Sequence, residues 1–323
     1  MVVGPRDPAI FSAQDVAFAE LNQAAVFDLL HRTLPDGGGN TFDNLSELGG
    51  PEGRAWVQVL GGFLDASRDG AAPSLHSTAG GVEGGADAAV GDGGRGRIGV
   101  AFGYESDSLG DSLGSSASQD IARVSLYGSE MLGGVILSGA LSYAHGWDRV
   151  DRASGAGFSV SSRGTDEFTG AVQLSAPLNT EVVIFTPAVG ALFSTLRSGA
   201  FIEHNSLSPA FAVVGLGSTL TAASPYVTLG LSHAFINPGG LTITPDAMVG
   251  YRYDDAASGP RDPLAGGGAI FPDNEIGLSR GGALTGVSLT AHEGGWTGYI
   301  KYRATLASGW TDQTVAAGLR IAF

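Results

Sequence analysis

The chain has 323 residues, a net charge of −15, 52 glycines and no cysteine. The acidic charge argues against a nucleic-acid partner, because phosphate binding requires a basic surface, and the absence of cysteine excludes disulfides and thiolate metal sites. Only 15% of the residues are charged, against about a quarter in soluble domains, and no run of apolar residues is long enough to predict a transmembrane helix.

Residues 1–53 are predicted to be a linker that contains one helix at about 15–34. Apolar residues recur there at intervals of three and four, with Asp15 as an N-cap and Pro35 as a stop. A short helical turn is predicted at 42–48. The helix either packs on a soluble core or stands in or at the lumen of a barrel, and the remaining sequence decides between these arrangements.

From residue 54 onward the sequence shows only strand patterns, in which one face is apolar and the other is small or polar. The stretch RIGVAFGYE at 97–105 places Ile98, Val100, Phe102 and Tyr104 on one face. The predicted strands are 55–66, 78–90, 97–105, 121–131, 135–147, 167–176, 182–196, 226–235, 241–253, 283–292, 297–306 and 310–323. Twelve strands and one helix predict an all-β fold in which residues 54–323 form a single β-domain.

The last strand carries the clearest alternation and ends on an aromatic residue. Val315, Ala317, Leu319, Ile321 and Phe323 share its apolar face. About ten residues of period two are the length of a tilted strand that crosses a membrane. An edge strand of a soluble sandwich is the alternative, but it does not usually end on a terminal aromatic residue after such regular alternation.

The connections between the strands alternate between short and long. Short turns such as GDGG at 91–94 and LGG at 132–134 follow every second strand, and long Ser- and Gly-rich loops follow the others. This segregation is typical of outer-membrane barrels, which have short periplasmic turns and long extracellular loops. The sequence therefore predicts a twelve-stranded antiparallel transmembrane β-barrel in the bacterial outer membrane, with the long loops extracellular and the short turns periplasmic.

The small and polar face of the strands is predicted to line the pore. Charges on that face would be costly in a dry sandwich core, whereas a water-filled lumen accepts them. The predicted pore-lining charges are Arg97, Glu105, Arg123, Asp246, Arg252, Lys301, Arg303 and Arg320. Most of them are basic, and the helix offers Asp15, Glu20 and Asp28 as partners if it stands in the lumen.

Several stretches resemble the autotransporter β-domain, the translocator unit of type V secretion. VSLYGSEMLGGVILSGALSYAHGWDRVDRA at 124–153 is similar to the tyrosine-glycine hairpin of that family, and AWVQVLGGF at 55–63, GRIGVAFGYES at 96–106, FTPAVGALFSTL at 185–196 and the closing AAGLRIAF are similar in the same way. LNQAAVFDLL at 21–30 resembles the helical segment that often precedes these barrels, and it contains Asn22.

The resemblance implies a barrel that exports or displays an N-terminal passenger, which is absent from this chain. It also implies outer-membrane lipids, the outer-membrane assembly machinery and the passenger polypeptide as partners, and it makes Leu319, Ile321 and Phe323 the assembly signal. Some family members cleave their passenger inside the lumenal helix between two asparagines, whereas here Asn22 is followed by Gln23. An outer-membrane protein needs a signal peptide, and residues 1–10 do not show one, so the chain is expected to be a mature or truncated piece of a longer precursor.

No enzymatic activity, cofactor or metal site is predicted. The six histidines are scattered, and the sequence contains neither an HExxH nor a GxSxG motif. The alternative function is a stand-alone porin or small-solute channel whose basic lumen would favour anions; such a protein would begin at its first strand, without a preceding helix. A monomer is expected in either case.

Overall fold

The computed structural model describes residues 7–32, 53–68, 72–91, 95–155, 157–180, 182–253, 264–266, 269–271 and 280–323. One helix, α1, spans Ala9–Arg32. Twelve long strands follow: β1 Arg54–Ala66, β2 Leu75–Val90, β3 Gly96–Asp111, β4 Ser116–Leu132, β5 Val135–Ala153, β6 Phe158–Ser175, β7 Ile184–Ser198, β8 Ser218–Ser232, β9 Thr242–Tyr253, β10 Gly281–Glu293, β11 Trp296–Ala307 and β12 Trp310–Ala322.

The twelve strands form one closed antiparallel barrel. Each strand pairs with its neighbours in sequence, and β12 pairs with β1 along its whole length, from Arg54 opposite Ala322 to Ala66 opposite Trp310. Closure leaves no unpaired sheet edge, which is the condition for a β-structure to cross a membrane. The predicted twelve-stranded antiparallel barrel with an N-terminal helix is therefore confirmed.

The two ends of the barrel differ, and we name them by their connections. The short-turn rim is the end at which β1 begins and β12 ends, and the long-loop rim is the opposite end. Strands β3–β6 extend well beyond their predicted ends toward the long-loop rim; β3, for example, continues from Glu105 to Asp111. The outward residues of the β3 extension are Ser106, Ser108 and Gly110 rather than apolar residues, so the alternation fades in the sequence although the backbone ladder continues.

The outer surface of the barrel carries a continuous apolar band. Outward residues such as Phe102, Leu141 and Val249 are more than half exposed, as expected of side chains that face lipid. Toward the long-loop rim the outer surface includes tyrosines with bonded hydroxyls: Tyr143 Oη donates to Asp166 at 2.5 Å and Tyr302 Oη donates to Gln313 at 2.9 Å. Aromatic residues with a polar tip are typical of the membrane–water interface.

The helix α1 stands inside the barrel. All its residues are buried except Leu21, Ala24, His31 and Arg32, which are partly exposed. It begins at Ala9, six residues before the predicted start, directly after Pro8. The N-cap assignment of Asp15 is wrong, because Asp15 lies in the second turn of the helix and its carboxylate binds the barrel wall. A helix that is enclosed on every side has no polar, solvent-facing stripe. The spacing of its apolar residues therefore did not show that the helix begins at Ala9. The turn predicted at 42–48 lies outside the described residues.

The helix runs from the long-loop rim to the short-turn rim. Near its first residue, Phe11 stacks on Phe201 of a long loop, with ring centroids 4.3 Å apart. At its last residue, Arg32 lies against Trp56 near the start of β1. Within the described residues, no helix combines the length and apolar character that a membrane-spanning helix requires.

Two long loops fold back over the long-loop mouth and form a small sheet, which we call the cap. The cap consists of the short strands Phe201–Ile202, Val214–Gly215, Leu264–Gly266 and Ala269–Phe271, all paired antiparallel. Phe201 and Leu264 are buried against the beginning of the helix. The sequence did not predict these strands, because two or three residues are too short to show a period.

Candidate functional site: the helix-filled lumen

The three acidic residues of α1 each bind a different strand of the wall. Asp15 Oδ1 lies 2.6 Å from Arg163 Nη2 on β6, and both carboxylate oxygens of Glu20 accept from Arg252 Nη2 on β9 at 2.8 Å. Asp28 binds Lys301 on β11, with Arg303 Nη2 3.9 Å away. Because the three strands lie at different positions around the barrel, these contacts fix the height and the rotation of the helix.

Asn22 lies at the centre of a buried polar cluster. Its Oδ1 accepts from Arg123 Nε at 2.7 Å, and its Nδ2 donates to Glu167 Oε2 at 3.0 Å and to Thr169 Oγ1 at 2.9 Å. Arg123 also donates to Glu105 Oε1 at 2.9 Å. Every side chain in this set is buried, so removing one member would leave the others without partners in a site that water does not solvate freely.

The C-terminal end of the helix is held by an arginine between two aromatic rings. The Arg32 guanidinium carbon lies 3.5 Å from the centroid of the Trp56 ring and 5.3 Å from that of Tyr299. Its Nη2 donates to Tyr299 Oη at 2.7 Å and also to Gln58. Trp56 Nε1 in turn donates to Tyr127 Oη at 2.7 Å, so the contact extends along the inner wall to β4.

The structure places all eight predicted pore-lining charges on the inward parity of their strands but gives them different partners. Arg123, Arg252, Lys301 and Arg303 contact the helix. Three of the others bind the wall: Arg97 Nε donates to Asp87 at 2.7 Å, Glu105 binds Arg123, and Arg320 Nη2 donates to Thr297 at 3.2 Å. Asp246 lines a cavity in the lumen.

The sequence analysis missed two buried arginines, Arg152 and Arg163, and six acids on the inner wall. Arg163 binds the helix although 163 was assigned to a loop. The acids are Glu83, Asp87, Asp107, Asp148, Glu167 and Asp312. The expectation of a predominantly basic lumen is therefore wrong for the part of the chain that the structure describes. Glu83 and Asp87 could not be recognised, because glycines interrupt the alternation on β2. Arg163 and Glu167 could have been recognised, because they share the inward face of β6 once the strand is extended to Phe158.

A cavity of about 150 Å³ lies between one side of the helix and strands β9–β12 and β1–β2. Its lining includes Leu21 and Ala24 of the helix and Met248 and Ser288 of the wall. A space of this size holds several water molecules. The helix packs instead against β4–β7, so it stands off-centre and does not fill the lumen completely. Among the described residues, no three acidic or histidine side chains cluster closely enough to hold a metal ion.

The predicted assembly residues lie at the end of β12. Leu319 and Ile321 face outward, and Phe323 is 70% exposed at the short-turn rim. The Phe323 amide donates to the Gly53 carbonyl at 2.9 Å, and its ring approaches Gly53 so closely that a Cβ at residue 53 would lie 2.9 Å from it. The chain end is thus attached to the residue that precedes β1.

A carboxyl pair lies just outside the barrel strands at the start of the helix. Asp7 has φ = 56°, is 5% exposed and accepts a hydrogen bond from Ser115 in the loop between β3 and β4. The carboxyl group of Asp111 is its acidic neighbour. Burial and this neighbour raise the pKa of Asp7 from 3.8 to about 7, because both disfavour its ionised form.

We expect this contact to weaken as the pH rises. A carboxyl whose folded pKa is raised binds more protons in the folded state, so its contribution to holding the helix start is lost between about pH 4 and pH 7. Amide hydrogen exchange over residues 7–12 should therefore become severalfold faster at pH 8 than at pH 5, after correction for the intrinsic exchange rate. Asp7→Asn should remove this dependence, and equal pH dependence in the variant would contradict the assignment.

The family model of the autotransporter beta-domain matches residues 55–303 of the chain. Comparison with curated proteins gives no match. Among solved structures, the fold is similar to the translocator domain of the autotransporter NalP from Neisseria meningitidis, with a TM-score of 0.77 and 14% identity over 97% of this chain and 99% of that one.

Two further structures share the fold. The β-domain of the Bordetella autotransporter BrkA gives a TM-score of 0.65 with 17% identity over 84% of this chain and all of that one. The transport unit of AIDA-I from Escherichia coli gives 0.58 with 11% identity over 94% and 98%. At these identities the structures establish the fold, and the family model establishes the relationship. The chain belongs to the autotransporter β-domain family.

Proposed function

We propose that this chain is the translocator of an exported passenger attached upstream of residue 7. The observation that carries the proposal is the direction of α1. The helix starts at the long-loop rim, beside Phe201, and ends at the short-turn rim, beside Trp56. A polypeptide joined to its N-terminus therefore leaves the barrel at the long-loop mouth, while the barrel itself stays anchored through β1.

The family and the barrel fold indicate the bacterial outer membrane. We propose that the long-loop rim faces the outside of the cell and the short-turn rim faces the periplasm. The position of Tyr143 supports this orientation, because it lies ten residues before the end of β5 at the long-loop rim, so that the end of this extended strand stands clear of the membrane. The family further implies outer-membrane lipids and the assembly machinery as partners.

The contacts of α1 support a resting state in which the helix stays in the lumen after export. It is held by ion pairs to three strands and by the Asn22 cluster. Each such pair is weak if water reaches it, but the Asp15–Arg163 and Glu20–Arg252 pairs are buried and would be costly to break one partner at a time. A stand-alone channel with an anion-selective lumen has less support, because the described lumen is occupied and its wall carries both signs of charge.

The proposal is tested by locating the two rims in intact cells. An epitope tag fused before Met1 should be removed by external protease, because the chain emerges at the outer surface. The matched control carries the same tag between Gly133 and Gly134, in the short turn between β4 and β5, where a side chain would meet nothing within 4 Å. That tag should be digested only after the outer membrane is permeabilised. Protection of the N-terminal tag, or digestion of the control in intact cells, would contradict the proposal.

A further inference from the structure

The long-loop mouth contains a layer of apolar side chains that crosses the lumen. The helix contributes Ile10 and Phe11 at its centre, with Ala9, Ala13 and Ala17 around them. The wall contributes residues from β1–β5 and β12, which include Leu64, Leu75, Leu109, Val150 and Trp310. All are less than a tenth exposed. From Ala9 to Ala17 the layer extends about 12 Å along the helix axis, at 1.5 Å per residue.

The cap completes this layer on the side where the wall lacks apolar residues. Strands β6–β9 contribute no residue to the described cluster, and Phe201, Val213 and Leu264 of the cap loops are part of it. Phe201 stacks on Phe11 with an angle of 29° between the rings. Its ring lies so close to Gly215 that a Cβ there would be 2.1 Å from Phe201 Cε1, so residue 215 must be glycine for the ring to lie in this position.

A buried ion pair holds the cap in this position. Arg152 of β5 is fully buried and binds Glu203 through two hydrogen bonds, Nε to Oε1 at 2.7 Å and Nη2 to Oε2 at 2.6 Å. Arg152 Nη2 also donates to the Phe211 carbonyl at 2.9 Å, and Glu203 Oε2 accepts from the Val213 amide at 2.9 Å. Asn205 adds hydrogen bonds to Ser154 and Ser159. Two-point Arg–carboxylate contacts add geometric specificity as well as energy, so this ion pair holds the cap loop in one defined position.

The rest of the lumen is less well sealed. A second apolar cluster surrounds Phe27 and Leu30 of the helix, but the 150 Å³ cavity borders Phe27, and Asp28, Lys301 and Arg303 line the same space. Lys301 and Arg303 keep 24% and 18% of their side chains exposed. Water can therefore stand beside the lower half of the helix. At the mouth, a larger open space of about 1050 Å³ borders the layer residues Ala66, Leu75, Leu109 and Trp310 at the strand ends, but its lining includes no residue of α1, so it does not reach the helix through the layer.

We propose that the ion barrier of the resting pore is the mouth layer formed by the start of α1 and the cap, and not the length of the helix. An ion must shed its water to cross an apolar layer, and hydrophobic constrictions block conduction in this way. The polar contacts along the rest of the helix then serve to hold it in place. This inference concerns the closed pore and does not depend on export of a passenger.

The test compares the same change in the two apolar clusters. Phe201→Ser introduces a hydroxyl into the mouth layer, and Phe27→Ser introduces one beside the cavity. In planar bilayers, with folded barrels selected by heat-modifiable mobility, we expect Phe201→Ser to raise the single-channel conductance severalfold and Phe27→Ser to leave it near that of the parent.

Gly215→Ala provides a second, milder test of the same layer, because the added methyl group displaces the Phe201 ring without introducing a polar atom. It should raise conductance in the same direction as Phe201→Ser, though less. Parental conductance in both Phe201→Ser and Gly215→Ala would overturn the proposal. So would a larger increase in Phe27→Ser than in Phe201→Ser, because the barrier would then lie lower in the pore.

Discussion

A variant that lacks residues 1–40 is expected to conduct ions severalfold better than the parent, with a steadier current. The lumen of a twelve-stranded barrel is narrow, and a helix with its side chains is about 10–12 Å across. Removing α1 deletes Ile10 and Phe11 from the mouth layer and opens the lower lumen to water. The charges that faced the helix, such as Arg123 and Arg252, then become solvated by that water and do not need protein partners.

The matched control for this deletion lacks only residues 1–6 and keeps α1 complete. Its conductance should equal that of the parent, because every contact of α1 with the wall is kept. Both variants are to be compared in planar bilayers at the same salt concentration. Equal conductance of the parent and the variant lacking residues 1–40 would show that the helix does not obstruct the pore, and would remove the structural support for a plugged resting state.

Deletion of Phe323 is expected to lower the amount of folded barrel in membranes severalfold. The closing strand β12 must pair with β1 over 13 residues to complete the barrel. Phe323 extends the contact of β12 with the start of β1. Its backbone amide donates a hydrogen bond to the Gly53 carbonyl, and its ring packs on that glycine. We also propose it, with Leu319 and Ile321, as the part of the strand that the assembly machinery contacts.

Phe323→Tyr is the control, because it keeps an aromatic ring and the chain length. Heat-modifiable barrel should be recovered from membranes at near-parental yield for Phe323→Tyr and at reduced yield for the deletion. The strand content of the barrels that do fold should be the same in all three proteins, since no lumenal or ladder residue changes. Equal yields for the deletion and the parent would contradict a role for this residue in assembly.

The barrel could be predicted from the sequence because its outer surface imposes a simple rule. Each strand must present apolar side chains to lipid at every second position, so residues such as Phe102 and Leu319 mark the strands one by one. The alternation of short turns and long loops then gives the order and the closure. The same rule no longer applies beyond the edge of the membrane, and the end of β5 beyond Trp147 was accordingly missed.

The interior obeys no comparable rule, and it was predicted less well. A helix buried on all sides keeps no polar stripe, so its start at Ala9 could not be seen. An inward charge pairs with one particular neighbour and follows no repeating pattern. Arg163 is therefore recognisable as a lumenal residue only when Asp15 is known to lie beside it. The cap depends on contacts between residues that are far apart in sequence, such as that between Arg152 of β5 and Glu203.

The unequal strand lengths make the barrel lopsided. β5 has 19 residues and β11 has 12; at about 3.3 Å per residue and a tilt of about 40°, the wall on one side rises roughly 15–20 Å higher than on the other. Asp7, the first described residue, binds Ser115 on this higher side. A chain that leaves the pore therefore starts beside the higher part of the wall, and its first residues are held to that side by the contact with Ser115.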